Sequence, residues 1–216
     1  MKRILLTLIF SSFLIVPAYS LGLNVGISGN MGIFHATGEE SENGDKSTED
    51  ATGVAGYSSV FIEAAIGERF AIGIDMVPGT LSSETANNDR NDKDEQADEA
   101  FSAVTNKVKV DFTNLNTLYA TLRLTDTLYL KAGAVSVDVE TKESLGTGST
   151  YTDTDMSGET YGIGYNNTFD NGFFYRVEGT YLDFGSASVT ASNTDNKVSL
   201  KNLEGASARI SIGKSF

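Results

Sequence analysis

TYGIGYNNTFDNGFFYRVEGTYLDFG, residues 160–185, alternates in both of its halves around the turn Asp170-Asn171-Gly172. In the first half Tyr161, Ile163 and Tyr165 alternate with Gly162, Gly164 and Asn166. In the second, Phe173, Tyr175, Val177 and Tyr181 alternate with Phe174, Arg176, Glu178 and Thr180. A period of two predicts strands, and Asn-Gly supplies the positive-φ residues of a tight hairpin. One face is aromatic and apolar; the other carries an arginine and a glutamate two residues apart. A soluble sandwich would turn the charges to water and the apolar face to a core. A membrane barrel reverses this, with apolar residues to lipid and charges to the lumen.

The 216-residue chain has 22 Gly, two Pro and neither Cys nor Trp. That length suits one β-barrel domain preceded by a leader. Residues 1–20 read as a cleaved signal peptide: Lys2 and Arg3, an apolar run from Ile4 to Val16, then Pro17 and the small-x-small tripeptide Ala18-Tyr19-Ser20. Residues 21–216 form the predicted barrel domain. After residue 20 no apolar run is long enough for a spanning helix, so any insertion must use strands. The absence of Cys excludes a lipid-anchored cysteine and a disulfide scaffold. Without Lys2 and Arg3 there are 14 basic residues against 29 acidic ones, which argues against nucleic acid as a partner.

Eight alternating segments follow one another: about 21–36, 54–66, 70–77, 106–124, 128–139, the two halves of the hairpin, and 198–216. Short turns at Gly67–Arg69, Thr125–Thr127 and Asp170–Gly172 alternate with four long polar segments, 37–53, 78–105, 140–157 and 185–197. The centre of the second, ETANNDRNDKDEQADE, reads as a mobile loop. Two places break the pattern. Asn114-Leu115-Asn116 inverts the phase of the fourth strand, and Val135, Val137 and Val139 predict a bulge or a strand end in the fifth. The strict long–short rhythm predicts an all-β fold: an eight-stranded antiparallel up-and-down transmembrane β-barrel, with short periplasmic turns and four long external loops.

The leader, the hairpin FFYRVEGTYLDFG and the terminal ARISIGKSF resemble the small eight-stranded outer-membrane barrels of Gram-negative bacteria, the opacity-type and OmpA-like porin-family proteins. The resemblance spans the mature chain. It implies residence in the outer membrane among lipopolysaccharide and a terminal aromatic, Phe216, read by the barrel-assembly machinery. Lys214 stands where a second aromatic or apolar residue usually sits.

The inward charges predicted from this phase are Glu63, Asp75, Lys107, Lys109, Asp111, Arg123, Lys131, Arg176, Glu178 and Arg209. Both signs are present, and eight strands leave room only for side chains or one small ligand, so a self-paired plug is expected over a selectivity lining. The inward glycines, Gly73, Gly133, Gly162 and Gly164, are expected to make room for bulky neighbours. His35, the single histidine, sits in no recognisable nucleophile motif, and the carboxylates of 89–99 lack the EF-hand glycine. The function read from sequence is a non-enzymatic structural or surface-interacting barrel without cofactor. Its external segments would meet an extracellular ligand or phage, or bind divalent cations weakly. The alternatives are a narrow channel for small solutes or apolar molecules, a lipid-modifying barrel enzyme, and a secreted soluble barrel.

Overall fold

A computed structural model describes residues 21–42, 45–92, 100 and 102–216. The signal-peptide segment and residues 93–99 of the second polar stretch lie outside the described residues. The strands are β1 Leu21–Glu42, β2 Asp45–Ile66, β3 Phe70–Met76, β4 Leu81–Ser82, β5 Ala86–Asp92, β6 Ser102–Arg123, β7 Leu128–Ser144, β8 Thr154–Thr168, β9 Phe173–Phe184, β10 Ala187–Thr190 and β11 Lys197–Ser215. Antiparallel pairing runs β1-β2-β3-β6-β7-β8-β9-β11, and β11 returns to β1 to close the ring. The strands β3, β4 and β5 lie in succession along β6 as one interrupted stave. Eight staves therefore enclose the interior, in the up-and-down order that the sequence predicts.

All three short turns lie at one end, with both ends of the described chain. Gly67 and Gly172 take the left-handed backbone that those turns require, at φ 64° and 82°. Phe216 exchanges two backbone hydrogen bonds with Leu23, of 2.8 and 3.1 Å, so the terminal residue seals the seam between β1 and β11.

The outer face carries the apolar set. Ile27, Met31, Ile33, Leu118, Ile163, Val177 and Ile210 are each about half exposed or more, on five different staves. Phe70, Phe173, Tyr175 and Phe216 ring the turn end, and Tyr161 and Tyr181 stand at the opposite edge. These two tyrosines donate hydrogen bonds to Glu159 and Glu204. An apolar belt around the circumference, edged by aromatics, is a lipid-facing surface.

The polar segments differ from expectation. Residues 37–42 and 45–53 continue β1 and β2 as a paired ribbon through Glu42↔Asp45. Ala86–Asp92, predicted as loop, pairs with Ser102–Val108. Backbone hydrogen bonding to a neighbouring strand needs no apolar side chain, so a polar composition did not prevent it. Nor does β7 bulge or end at Val135. Its phase holds from Tyr129 to Val139, with Val135, Val137 and Val139 buried inside. What changes is the interior itself, which turns from polar to apolar at that height.

The extra residues lie elsewhere. Pairing slips between Thr113 and Asn116 on β6, and again on β11 opposite His35 and Thr37. Asn114 and Asn202, at φ 51° and 52°, occupy these two bulges, and asparagine tolerates that left-handed conformation better than most residues. Each bulge reverses which residues of its strand face inward above it. Hence Val110 and Phe112 pack against the interior cluster. Lys107, Lys109 and Asp111, predicted to line the lumen, face outward instead.

Candidate functional site

Below the bulges, the interior is built around six charges. Glu63, only 2% exposed, accepts two hydrogen bonds from the Arg176 guanidinium, at 2.7 and 2.9 Å. Asn24 and Tyr119 donate to the same carboxylate at 2.7 and 3.2 Å. Arg176 uses its remaining Nε to reach Asn166 at 2.9 Å. Its planar cation lies against Phe61, Phe174 and Tyr129, with ring centroids at 5.4, 4.7 and 5.6 Å. A bidentate guanidinium with aromatic neighbours is geometry that lysine could not supply.

The second half of the network adjoins the first. Glu178 accepts from Lys131 Nζ and from the Tyr129 hydroxyl, both at 2.8 Å, and Arg209 Nη1 lies 3.8 Å away. Arg209 also donates to Asp75 and, at 3.0 Å, to Ser59. Three carboxylates thus face three cations, drawn from β2, β3, β7, β9 and β11. Taking charges from water costs several kcal/mol per ion unless partners and hydrogen bonds replace the solvent. Here every one of the six has an opposite charge within 4 Å.

Cross-strand glycines make this packing possible. Tyr119 is paired with Gly73, Tyr129 with Gly164, Phe61 with Gly26 and Phe174 with Gly213. A Cβ on any of these glycines would collide with the ring opposite. Each aromatic therefore lies over its partner's backbone, in the space that a side chain there would fill. Gly164→Val is expected to displace Tyr129 from Glu178 and to cost about 1–3 kcal/mol, the usual range for overpacking. Urea unfolding of the barrel in lipid vesicles would check it.

Above the charges is a polar cavity of ≈ 30 Å³, bordered by Asn30, Asp75, Lys131, Thr160 and Arg209. Above that the interior is apolar: Val77, Leu115, Val135, Val137, Met156 and Leu182 are buried against one another, with Phe184 and Leu203. At the outer mouth a larger cavity opens, of ≈ 360 Å³, walled by Val108, Val110, Val139, Val198 and Leu200. Sequence reasoning missed this apolar storey. Its signal was the run Val135, Val137, Val139, whose apparent change of phase is the lumen changing chemistry.

Of the predicted lumen charges, Glu63, Asp75, Lys131, Arg176, Glu178 and Arg209 come together as described. Three do not. Lys109 and Asp111 sit on the outer face of β6, 2.9 Å from one another, because Asn114 has reversed the strand. Arg123 is exposed at the end of β6, where its backbone amide donates to Arg69 across the turn end. His35 takes an outward position on β1, with Nδ1 3.2 Å from the Thr52 hydroxyl oxygen. Glu39, also outward, accepts from Lys201 at 2.9 Å and Lys46 at 3.0 Å. Those hydrogen bonds, Lys201 first, hold its carboxyl below the usual range.

No family model matches the chain. No curated protein matches it either. Among solved structures, the outer membrane protein OprG from Pseudomonas aeruginosa superposes with a TM-score of 0.59 at 12% identity, over 92% of this chain and 97% of that one. The outer membrane protease OmpT from Escherichia coli gives 0.54 at 12% identity, over 93% and 100%. The fold is that of the outer-membrane β-barrels. The exposed apolar belt gives that fold a lipid-facing surface.

Proposed function

We propose that this barrel is a non-enzymatic outer-membrane protein, sealed in its membrane-inner half and acting through its external strand extensions. The closed network of Glu63–Arg176, Asp75–Arg209 and Lys131–Glu178 carries the reading. Opposite charges held close in a low-dielectric interior attract strongly, and separating them to pass a solute would expose both. Phe61 and Phe174, with ring centroids 6.2 Å apart, close the bore beside Arg176. The cavity above the network has the volume of a water molecule rather than of a solute path.

The expected result in planar bilayers is no steady conductance of porin size from the folded wild-type protein. Small currents appearing only in Arg176→Ala or Glu178→Ala would identify the seal. A wild-type channel of porin size would overturn the reading in favour of solute passage.

Outside, the extensions carry Lys107, Lys109, Lys142 and Lys201 on their outward face, interleaved with Glu39, Asp111 and Glu140. Lipopolysaccharide is the proposed lipid neighbour, meeting these lysines through its phosphates and the acidic positions through divalent cations. Phe216, closing the seam with Leu23, is proposed as the residue that the assembly machinery reads. Phe216→Ala is expected to lower the folded fraction recovered from outer membranes while leaving refolding into detergent in vitro nearly unchanged. Equal loss in both would mean that the residue acts on stability alone.

A further inference from the structure

The mouth cavity has a charge asymmetry that its apolar walls conceal. Above the bulges, strand parity divides the described charged side chains. Lys107, Lys109, Lys142 and Lys201 take outward positions, whereas Glu40, Glu49 and Glu143 take inward ones. Glu40 and Glu49 border the cavity. Glu143 stands on β7 between Thr141 and Leu145, and pairs across with Val108, all three of which are cavity wall.

Two buried side-chain atoms among the described residues lack a hydrogen-bond partner: Glu143 Oε2 and Asn196 Oδ1. Both are acceptors. Both also flank one feature, the bridge between Tyr151 and Ala191. The Tyr151 amide donates to Glu143 Oε1 at 2.8 Å, and the Ala191 amide donates to the Asn196 carbonyl at 2.8 Å. Asn196 in turn donates from Nδ2 to Glu40 Oε1 at 2.7 Å. A buried acceptor left unmet costs about 1–3 kcal/mol, and more when it is charged. One of these two is on the residue that holds the Tyr151 amide and the other on the residue bonded to Glu40. Tyr151 and Glu40 both line the cavity, so the pair marks a place for a donor.

We propose that the mouth cavity binds one small amphipathic cation. Its apolar body rests against Val108, Val110, Val139, Val198 and Leu200, and its ammonium donates to Glu143 Oε2 and Asn196 Oδ1. The volume of ≈ 360 Å³ suits a molecule with one ring or a short alkyl chain. An anion is disfavoured by the three inward glutamates, and a neutral apolar molecule leaves both acceptors unmet. The site is independent of the seal below it. A barrel that conducted could still bind the cation, and bilayer recordings read that question separately.

The test uses the refolded full chain in a non-ionic detergent, titrated with 2-phenylethylammonium, 2-phenylethanol and phenylacetate. The three share a ring and differ in charge. Methyl shifts of Val108, Val139 and Val198 report the cavity, while those of Ile163 and Val177 report uptake into the micelle. The ammonium is expected to saturate the cavity signals with an affinity about tenfold or more above the alcohol, the ratio that one charge-assisted hydrogen bond supplies. Phenylacetate should show no saturation. Glu143→Gln should remove the ammonium's advantage and leave the alcohol unaffected. Val198→Phe, which fills the cavity and keeps both acceptor residues, should abolish saturation by both. Equal affinity for ammonium and alcohol, an unchanged preference in Glu143→Gln, or shifts confined to Ile163 and Val177 would each overturn the proposal.

Discussion

Glu63→Ala should lower the stability of the barrel by about 3–5 kcal/mol, the loss expected when one partner of a buried ion pair is removed. The carboxylate serves Arg176 twice, Asn24 and Tyr119, and among the described residues no other acid lies within 4 Å of Arg176. With it gone, a guanidinium held between Phe61, Phe174 and Tyr129 keeps its charge and loses its counter-ion. The measurement is urea unfolding in lipid vesicles, followed by tyrosine fluorescence because the chain contains no Trp. A double variant separates the pair from the position. Glu63→Leu with Arg176→Met replaces both ions by apolar groups of similar size, and such swaps are often neutral. Recovery of most of the lost stability would show that the single variant fails through an uncompensated charge. If the double variant is as unstable as the single one, the cost comes from packing against Tyr119 and Asn24, and the ion-pair account is wrong.

The staves and their order were legible because lipid enforces one face of each strand. Ile27, Leu118, Ile163 and Ile210 must all point outward, and a period of two with long–short connections left one arrangement. The hairpin charges were legible for the same reason: Arg176 and Glu178 alternate with Tyr175 and Val177, so their side follows from that of the aromatics. Two kinds of residue escaped. Above the belt no lipid constrains the outer face, so polar residues occur on both sides of β1, β2, β5 and β6, and their alternation carries no signal. Pairing there comes from the backbone, which composition does not report. The other failure was local. One asparagine at φ 51° reverses β6, and a reader who carries the phase of Leu118 through Asn114 puts Lys109 and Asp111 inside and Val110 and Phe112 on the lipid face. Asn114-Leu115-Asn116 was visible as an irregularity, but its direction depended on the apolar storey inside, to which Leu115 and Val137 belong. That storey had no place in an expectation of a uniformly polar lumen.

Arginine at the middle of the belt should cost about 2–4 kcal/mol and arginine at its edge about 0–1. Ile210 suits the first test. It is 64% exposed, lies between Ala206 and Lys214 on β11, and is flanked across the strands by Gly29 and Val177. No carboxylate shares its level on the outer face of those neighbours, so an arginine there must reach along the barrel to find water. Leu21 suits the second. It is 77% exposed at the turn end, beside the seam that Phe216 closes. There the guanidinium extends directly into the headgroups. The contrast between Ile210→Arg and Leu21→Arg, read by urea unfolding in vesicles of one lipid thickness, isolates depth from the chemistry of the substitution. Thinner lipid should shrink the difference, because the midplane is then nearer to water. Equal costs at the two positions, unchanged by lipid thickness, would mean that Ile210 meets protein rather than acyl chains, and the belt would be an interface with another subunit.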